Sequence, residues 1–379
     1  MNLKTAVSLI TLLLTLSLTA CQPSPPAKQQ ILNSIASHVI APFHQQFADS
    51  TQQLQQTSQT FCQQTNEIHW QTLRVQWQSS MQHWQAVKLI QFGPITKNNQ
   101  AWKIQFWPDK HNLIRKKINA LLNSSDTLNV ERVQQASVVT QGLSALEFLL
   151  FDNKGGQLSL YNKDDEPRRC QLLLAVANHT HQVATHLNNA WQAKGNNYLK
   201  TLTQTGETNT DFPTRDDAIA ALVDTLVASL ELAKRDQLAG PLGYRIKGGQ
   251  LVKGKTQVYA SEAWRSRNSL TLLQAHLQAA QTLYYGGPEN QTKRFGFYHY
   301  LRQQAATKIL ADAIGDQFTT TNKQFTSIDQ TLFEALSQPQ SLTQLDTLFQ
   351  QVTQLEKIVK NNLPTSLGVT LGFNSNDGD

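Results

Sequence analysis

The sequence has few charged residues for its length. Only 16% of its 379 residues are Asp, Glu, Lys or Arg, and the formal net charge is +6. Proteins that bind nucleic acid concentrate basic residues in a patch or stripe, whereas this small excess is spread along the chain without a long run of Lys and Arg. The composition therefore argues against a nucleic-acid partner. Abundant Gln, Asn and Thr predict polar faces that are largely uncharged.

The sequence also lacks common catalytic motifs. It contains no His-Glu-x-x-His zinc motif, no Gly-x-Ser-x-Gly nucleophile elbow and no Gly-x-Gly-x-x-Gly dinucleotide fingerprint. The spacing of its histidines matches no metal motif. On motifs alone we predict no catalytic residue and no metal ligand, and no cofactor can be named.

Cysteine is scarce, with three residues in the chain. Cys21 follows an apolar segment and is assigned below to lipid attachment, which leaves Cys62 and Cys170 as an even pair. Disulfides persist in oxidising compartments outside the cytoplasm. We therefore expect Cys62 and Cys170 to be bonded; two buried free thiols are the alternative.

The beginning of the chain has the pattern of a secretion signal. Lys4 provides a positive charge before an apolar run from Ala6 to Leu18. That run is shorter than the roughly 20 residues of a transmembrane helix, but it fits the apolar region of a signal peptide. We expect residues 1–20 to be a signal peptide.

Small residues and a cysteine follow this run. Leu18-Thr19-Ala20-Cys21 resembles the lipobox of bacterial lipoproteins, so we expect Cys21 to carry lipid, palmitate included, and to attach the protein to a membrane. An ordinary signal peptide with a chance cysteine is the alternative. Gln22 stands where an Asp would favour retention in the inner membrane, and this resemblance to lipoprotein sorting rules favours the outer membrane. Residues 21–30 are rich in proline and predict an extended tether.

Most of the remaining chain has helical periodicity. Trp70, Trp77 and Trp84 recur every seven residues, which places three indoles on one stripe of a helix and predicts a packed seam; a stripe that stacks on a cofactor is the alternative. Further helices are predicted over 130–151, 167–194, 216–238, 259–284, 291–318, 322–337 and 342–361. The glycine-rich stretch 240–254 is expected to form a small hairpin or a functional loop.

The helical pattern predicts an all-α fold of two helical-bundle halves packed against each other. The stretch 195–211 is polar and poor in apolar residues. We place the boundary there, with residues 31–205 in the first half and 206–379 in the second.

Polar residues border the apolar face of the helix predicted over 130–151. Glu147 lies beside the apolar stripe, and Ser144 shares its side. A buried carboxylate is costly without a partner, so Glu147 requires one or contacts a ligand. Asp109 follows Pro108 and is a further candidate, although capping of the next helix is the simpler role.

A second polar stripe is predicted in the other half. Glu262, Ser266 and Ser269 share one face of the helix predicted over 259–284, and Arg265 borders that face. A Glu–Arg pair within one helix is the alternative interpretation.

Four blocks that contain these residues resemble a known family. They are similar to signature segments of imelysin-like proteins and are spaced through the chain from about Ile31 to the end; the blocks are 106–110 (FWPDK), 142–151 (GLSALEFLLF), 262–270 (EAWRSRNSL) and 367–379 (LGVTLGFNSNDGD). The resemblance implies an all-helical fold of two bundle-like halves with a site at their junction. It also implies a periplasmic or surface lipoprotein associated with iron uptake.

Some imelysin-like proteins were described as metallopeptidases with a Gly-x-His-x-x-Glu motif. The present chain has Gly142 and Glu147 at the outer positions of that motif, but Ser144 stands at the position of the histidine. A serine hydroxyl is a poor ligand for a divalent transition metal, and imidazole is a good one. This departure argues against a metallopeptidase.

These observations favour a non-enzymatic binding lipoprotein linked to iron or haem acquisition. Its ligand site is expected at the domain junction, with haem, an iron chelate, a peptide or a glycan as compatible ligands. A metallopeptidase and a non-catalytic scaffold for a partner protein are the alternatives. The expected ligand-binding residues are Asp109, Ser144, Glu147, Glu262, Arg265, Ser266 and Ser269.

Overall fold

The computed structural model describes residues 26–161 and 167–371. The predicted signal peptide, Cys21 and most of the C-terminal block 367–379 lie outside the described residues. Within them, no helix is long and apolar enough to cross a membrane.

The described chain is almost entirely helical, which confirms the predicted all-α class. A π-helical turn, Ala36–Ile40, joins the first two helices, and a second, Ala233–Ala239, follows α10. The α-helices are α1 (Ala27–Ile35), α2 (Ala41–Gln63), α3 (Glu67–Leu89), α4 (Gln100–Ile104), α5 (Leu113–Leu122), α6 (Val130–Gln135), α7 (Gly142–Phe151), α8 (Pro167–Trp191), α9 (Tyr198–Thr203), α10 (Arg215–Leu232), α11 (Gly240–Leu242), α12 (Ser269–Tyr285), α13 (Phe297–Arg302), α14 (Ala305–Phe325), α15 (Leu332–Ala335) and α16 (Pro339–Leu367). Short 3-10 turns occupy Gly93–Thr96, Val138–Thr140, Leu158–Tyr161 and Val258–Ala260.

Side-chain caps determine where several helices begin. Asn66 accepts a hydrogen bond from a backbone N–H in the first turn of α3, and Asn129 does so for α6. Thr214 and Asp217 form a reciprocal capping box at the start of α10. Such caps satisfy N–H groups that have no partner within the helix.

Two hydrophobic cores are present. One contains the tryptophan stripe of α3, in which Trp70, Trp77 and Trp84 are all at most 4% exposed, together with residues of α2, α7 and α8. The other is built mainly from α10, α12, α14 and α16, and α1 also packs into it. The division at 205/206 stays a prediction, but the first helix of the predicted N-terminal half contributes to the core of the C-terminal half.

The predicted disulfide between Cys62 and Cys170 is confirmed. It joins the end of α2 to the start of α8, with the two Cα atoms 5.6 Å apart. The two cysteines are 108 positions apart in sequence. The chain between them contributes most residues of the core that contains the tryptophan stripe.

The helix predicted over 130–151 is interrupted. The Gln141 amide donates to the carbonyls of Val133 and Ala136 at the end of α6, and so satisfies groups that a continuous helix would pair internally. Gly142, the first residue of α7, adopts φ +69°, which a residue inside a continuous helix does not have. A Cβ there would lie 2.1 Å from the carbonyl oxygen of Ile104, so only glycine fits.

The prediction of a helix over 259–284 is also wrong for residues 259–268, because α12 begins only at Ser269. Residues 258–268 form a 3-10 turn followed by irregular turns, with Ala263 at φ +48° and Arg267 at φ +57°. The Ser266 hydroxyl oxygen lies 2.9 Å from the Ala263 carbonyl oxygen within this turn. Glu262, Arg265 and Ser266 therefore lie on a loop, here called the site loop (residues 258–268), rather than on one helical face.

The glycine-rich stretch forms a hairpin. Strands β1 (Tyr244–Lys247) and β2 (Gln250–Lys253) pair antiparallel, and Gly248 and Gly249 connect them with positive φ angles. This is the geometry of a type I′ turn. Residues 249–256 (GQLVKGKT) also match the sequence pattern of a phosphate-binding loop. Their middle four residues form β2, so their backbone N–H groups do not form an anion cradle.

Candidate functional site

The candidate site lies where α3, the segment after α4, α7 and the site loop meet. Glu147 comes from α7 and Glu262 from the site loop, and both are buried, at 4% and 1% exposure. Glu147 accepts hydrogen bonds from Ser266, which belongs to the same loop as Glu262. The structure thus brings together two carboxylates that are 115 positions apart in sequence.

Glu262 is the centre of a dense hydrogen-bond network. Its Oε1 accepts from the Gln85 amide at 2.9 Å, the Lys88 ammonium at 2.7 Å and the Gln105 amide at 2.6 Å, while Gln237 donates to Oε2. Burial alone would raise the pKa of Glu262, but the Lys88 charge and these hydrogen bonds outweigh it and lower the pKa to about 2. Glu262 is therefore an ionised, fully partnered carboxylate that links separate parts of the chain.

Glu147 has a different environment. Its Oε1 accepts from the backbone N–H of Ser266 at 2.9 Å and from the Ser266 hydroxyl at 3.0 Å. Burial raises the pKa of Glu147, and the opposing effects of Arg265 and of the Ser266 hydrogen bonds do not cancel this rise. Both hydrogen bonds that the described residues make to Glu147 reach Oε1, so Oε2 has capacity for a further partner.

Arg265 is not the partner of Glu262, contrary to the simple pair considered from the sequence. Its Nε donates to Asp152 at 3.1 Å, and its Nη2 donates to Asn112 at 2.9 Å and lies 3.7 Å from Asp109. The guanidinium also lies over the indole of Trp264, 4.5 Å from the ring centroid. Only 3% of its side chain is exposed, so Arg265 is held rigidly by three elements.

Asp152 anchors this cationic cluster. Arg115 donates to both of its carboxylate oxygens, at 3.1 and 3.0 Å, and the Lys154 N–H donates to Oδ1. Burial acts to raise the pKa of Asp152, but the Lys154 N–H, Arg115 and Arg265 together hold it below its usual range. Asp152 therefore supplies a fixed negative charge that orients two guanidinium groups.

Three further predicted site residues organise the backbone. The Ser144 hydroxyl accepts from the Phe106 N–H at 3.0 Å and donates to the Phe106 carbonyl at 3.1 Å. Ser269 donates to the Glu262 carbonyl. Asp109 accepts the N–H groups of Leu113 and Ile114 at the start of α5, as expected of a capping carboxylate.

Two spaces open beside these residues. A cavity of about 20 Å³ borders Glu147, Ser144 and Arg265, which is room for one water molecule. Next to it lies an open groove of about 1,070 Å³, here called the basic groove, between the segment 108–115, the turn 153–154 and the loop 256–265. Its charged lining residues are Lys110, Arg115, Lys154, Arg265 and Asp109, with His111 beside them.

Sequence reasoning missed several partners in this cluster. Asp152 directly follows the block 142–151, and Gln85 and Lys88 lie one turn apart on α3 near the buried Trp84. Polar residues on an apolar face were the available signal for the latter two. No local pattern marks Gln105 or Gln237, because each acts through a hydrogen bond to Glu262, which is distant in sequence.

The residues around Glu147 do not fit a transition-metal site. The Ser144 hydroxyl is already occupied by both backbone groups of Phe106. Across the described ranges 26–161 and 167–371, no group of three or more His, Cys, Asp or Glu side chains is placed to hold a metal ion. We therefore derive no metal-dependent step at this site.

Comparison with known proteins identifies the family and the fold. The family model described as Imelysin matches residues 40–359. An imelysin-like protein from Psychrobacter arcticum 273-4 has a similar structure, with a TM-score of 0.73 at 19% identity over 92% of this chain and 97% of the other. A protein from Parabacteroides distasonis ATCC 8503, assigned as an iron-regulated protein A precursor, has a TM-score of 0.71 at 13% identity over 90% and 96%. No curated protein sequence matches the chain.

Proposed function

Because this chain belongs to the imelysin family, we propose that it is an extracytoplasmic binding lipoprotein that takes up an anionic iron chelate or haem in the basic groove. A structurally similar protein is assigned as iron-regulated, which supports the link to iron. The lipid on Cys21 holds the body at the outer membrane.

The charge of the basic groove is the observation that carries this proposal. Four cationic side chains and the carboxylate of Asp109 line it; Arg115 and Arg265 are already paired with Asp152, so the unpaired positive charge comes from Lys110 and Lys154. Lys110 and Lys154 form no ion pair with any described residue, so both ammonium groups are available to a ligand. The arrangement suits a ligand with two or more carboxylates, because guanidinium and ammonium groups bind carboxylates through charge-assisted hydrogen bonds.

The rigidity of the groove floor supports binding rather than turnover. Arg265 is fixed by Asp152, Asn112 and Trp264, so little side-chain entropy is lost when a ligand contacts it. Glu147 and Glu262 do not line the basic groove, so neither carboxylate contacts a ligand that is bound there.

Titration with haemin and with ferric citrate tests the proposal. We expect at least one of them to bind and to raise the thermal unfolding temperature. The double variant Lys110→Glu, Lys154→Glu should weaken binding by about 30-fold or more, because an attraction of roughly 1 kcal/mol per cation at 4 Å in water is lost at two positions and becomes repulsion.

A matched control is Lys308→Glu, which reverses an exposed charge on α14, outside the groove lining. It should leave binding unchanged. Equal loss in both variants, or no binding of either compound by the native protein, would contradict the assignment of the groove.

Attachment to the membrane is tested separately. Cys21→Ser should release the protein from the outer-membrane fraction or leave residues 1–20 uncleaved. Mass spectrometry that finds an unmodified Cys21 in membrane-bound native protein would remove the lipid from the proposal without affecting the groove.

A further inference from the structure

A second groove borders Gln105 and Trp107 and shares no lining residue with the basic groove. Its volume is about 470 Å³, within the range of small-molecule sites. It is called here the tryptophan groove, and its lining residues are Trp84, Lys88, Gln91, Ile95, Thr96, Asn99, Ala101, Trp102, Gln105, Trp107 and Leu232.

Three indoles dominate this lining. Trp84 is buried against the core, with its Nε1–H donating to Gln105 at 2.6 Å. Trp107 is partly exposed, whereas Trp102 is 45% exposed on the short helix α4. A large aromatic side chain held at the surface beside a concavity is a common feature of binding sites, because it offers a rigid apolar face at small entropic cost.

The polar part of the lining is amide and hydroxyl rather than charged. The side chains of Gln91 and Asn99 make no hydrogen bond with any described residue, and both are exposed. Thr96 donates to the Gly93 carbonyl and keeps its acceptor capacity. An amide both donates and accepts hydrogen bonds, so this set matches groups that do the same.

The only charged lining residue is already neutralised. Lys88 forms its ion pair with Glu262 at 2.7 Å, and 10% of its side chain is exposed. No carboxylate lines the groove. The tryptophan groove is therefore electrically near neutral, in contrast to the basic groove, and an anionic chelate gains little from it.

We propose that the tryptophan groove binds a neutral oligosaccharide. A sugar ring has an apolar C–H face that packs on an indole, and hydroxyls at its edge that both donate and accept hydrogen bonds. The Trp102 indole, 45% exposed, and the amides of Gln91 and Asn99 line the same groove and provide these two kinds of contact. This site is separate from the proposed iron-chelate site and does not depend on it.

Titration of the mature protein with chitotriose, cellotriose and maltotriose tests this proposal. Tryptophan fluorescence and saturation-transfer NMR should detect binding of at least one trisaccharide at concentrations up to about 10 mM, the range of weak ligands. Trp102→Ala should weaken that binding by about 30-fold, the effect expected on truncating an aromatic anchor. Gln91→Ala should weaken it by about fivefold, the loss of one hydrogen bond.

Three controls make the result specific. Trp102→Phe keeps an aromatic face and should retain part of the affinity. Tyr259→Ala removes a 69% exposed aromatic residue of the basic groove and should not change trisaccharide binding. Haemin binding should be unchanged in Trp102→Ala, which separates failure of this proposal from failure of the iron-chelate site.

Two outcomes would overturn the proposal. One is that none of the three trisaccharides binds. If the anionic aromatic dye 1-anilinonaphthalene-8-sulfonate then binds in a Trp102-dependent way, the groove is a site for aromatic ligands instead. The other is that a trisaccharide binds with unchanged affinity in both Trp102→Ala and Gln91→Ala, which would place the sugar elsewhere.

Discussion

The substitution Glu262→Gln tests how strongly the buried Lys88–Glu262 pair stabilises the fold. It keeps the size of the side chain but removes its charge, and it places an NH₂ group where a carboxylate oxygen now accepts. Donors converge on both oxygens of Glu262, so at least one donor will face the new NH₂ group. Lys88 would lose its counter-ion while remaining 10% exposed.

The expected loss in the free energy of unfolding is about 3 kcal/mol. Removing one partner of a buried ion pair costs about 3–5 kcal/mol, and the residual exposure of Lys88 places this pair at the lower end. Urea unfolding of Glu262→Gln, of Lys88→Met and of the double variant at pH 7 measures it. The double variant should be more stable than the sum of the single losses predicts, with a coupling of about 2 kcal/mol.

The pH dependence gives the refuting result. The folded-state pKa of Glu262, about 2, is below its ordinary value of 4.5, so ionisation stabilises the folded state. That stabilisation is fully present above pH 4.5 and is lost as pH falls toward 2. The stability difference between the native protein and Glu262→Gln should therefore narrow in this interval. Two results would refute the reasoning. One is that Glu262→Gln lowers the free energy of unfolding by less than about 1 kcal/mol at pH 7, and the other is that the stability difference from the native protein stays the same between pH 4.5 and 2.

Three further predictions concern single features of the fold. Glu147→Gln should keep the Ser266 hydrogen bonds and raise the free energy of unfolding at neutral pH by up to about 1 kcal/mol. Burial raises the pKa of Glu147, so the protonated carboxyl stabilises the fold at acid pH, and this contribution is lost as pH rises through the folded-state pKa. Cys62→Ser with Cys170→Ser should lower the free energy of unfolding by about 4–5 kcal/mol, from loss of a 108-residue loop constraint, as urea unfolding would show. Gly142→Ala should lower the thermal unfolding temperature, from about 1–3 kcal/mol of backbone strain and a clash with Ile104.

Each of these has its own comparison. Trp77→Ala should lower the free energy of unfolding by about 3–5 kcal/mol. A comparable loss in Glu147→Gln would contradict the expectation that a neutral amide is tolerated in place of the buried carboxylate. Unchanged stability after reduction of the native protein would contradict the role of the disulfide. Gly248→Ala has a positive φ of 59° but no atom near the added Cβ, so it should cost less than Gly142→Ala.

Much of the architecture was predictable because burial leaves a periodic trace in sequence. The seven-residue spacing of Trp70, Trp77 and Trp84 predicted a helix with one buried face, and all three indoles are in the core. Cys62 and Cys170, an even pair in a chain with a predicted secretion signal, predicted the disulfide. These inferences use the spacing and type of residues, which do not depend on how distant parts of the chain meet.

The partners of the site residues were decided by tertiary structure. Glu262 and Arg265 are three residues apart, but Glu262 pairs with Lys88, 174 positions away, and Arg265 binds Asp152, 113 positions away. The site loop is not α-helical, since Ala263 takes a left-handed conformation that the surrounding hydrogen bonds sustain. Helical periodicity reports which side of a segment is buried. It carries no information on which donor meets a buried carboxylate, because that depends on distances fixed only when the helices pack.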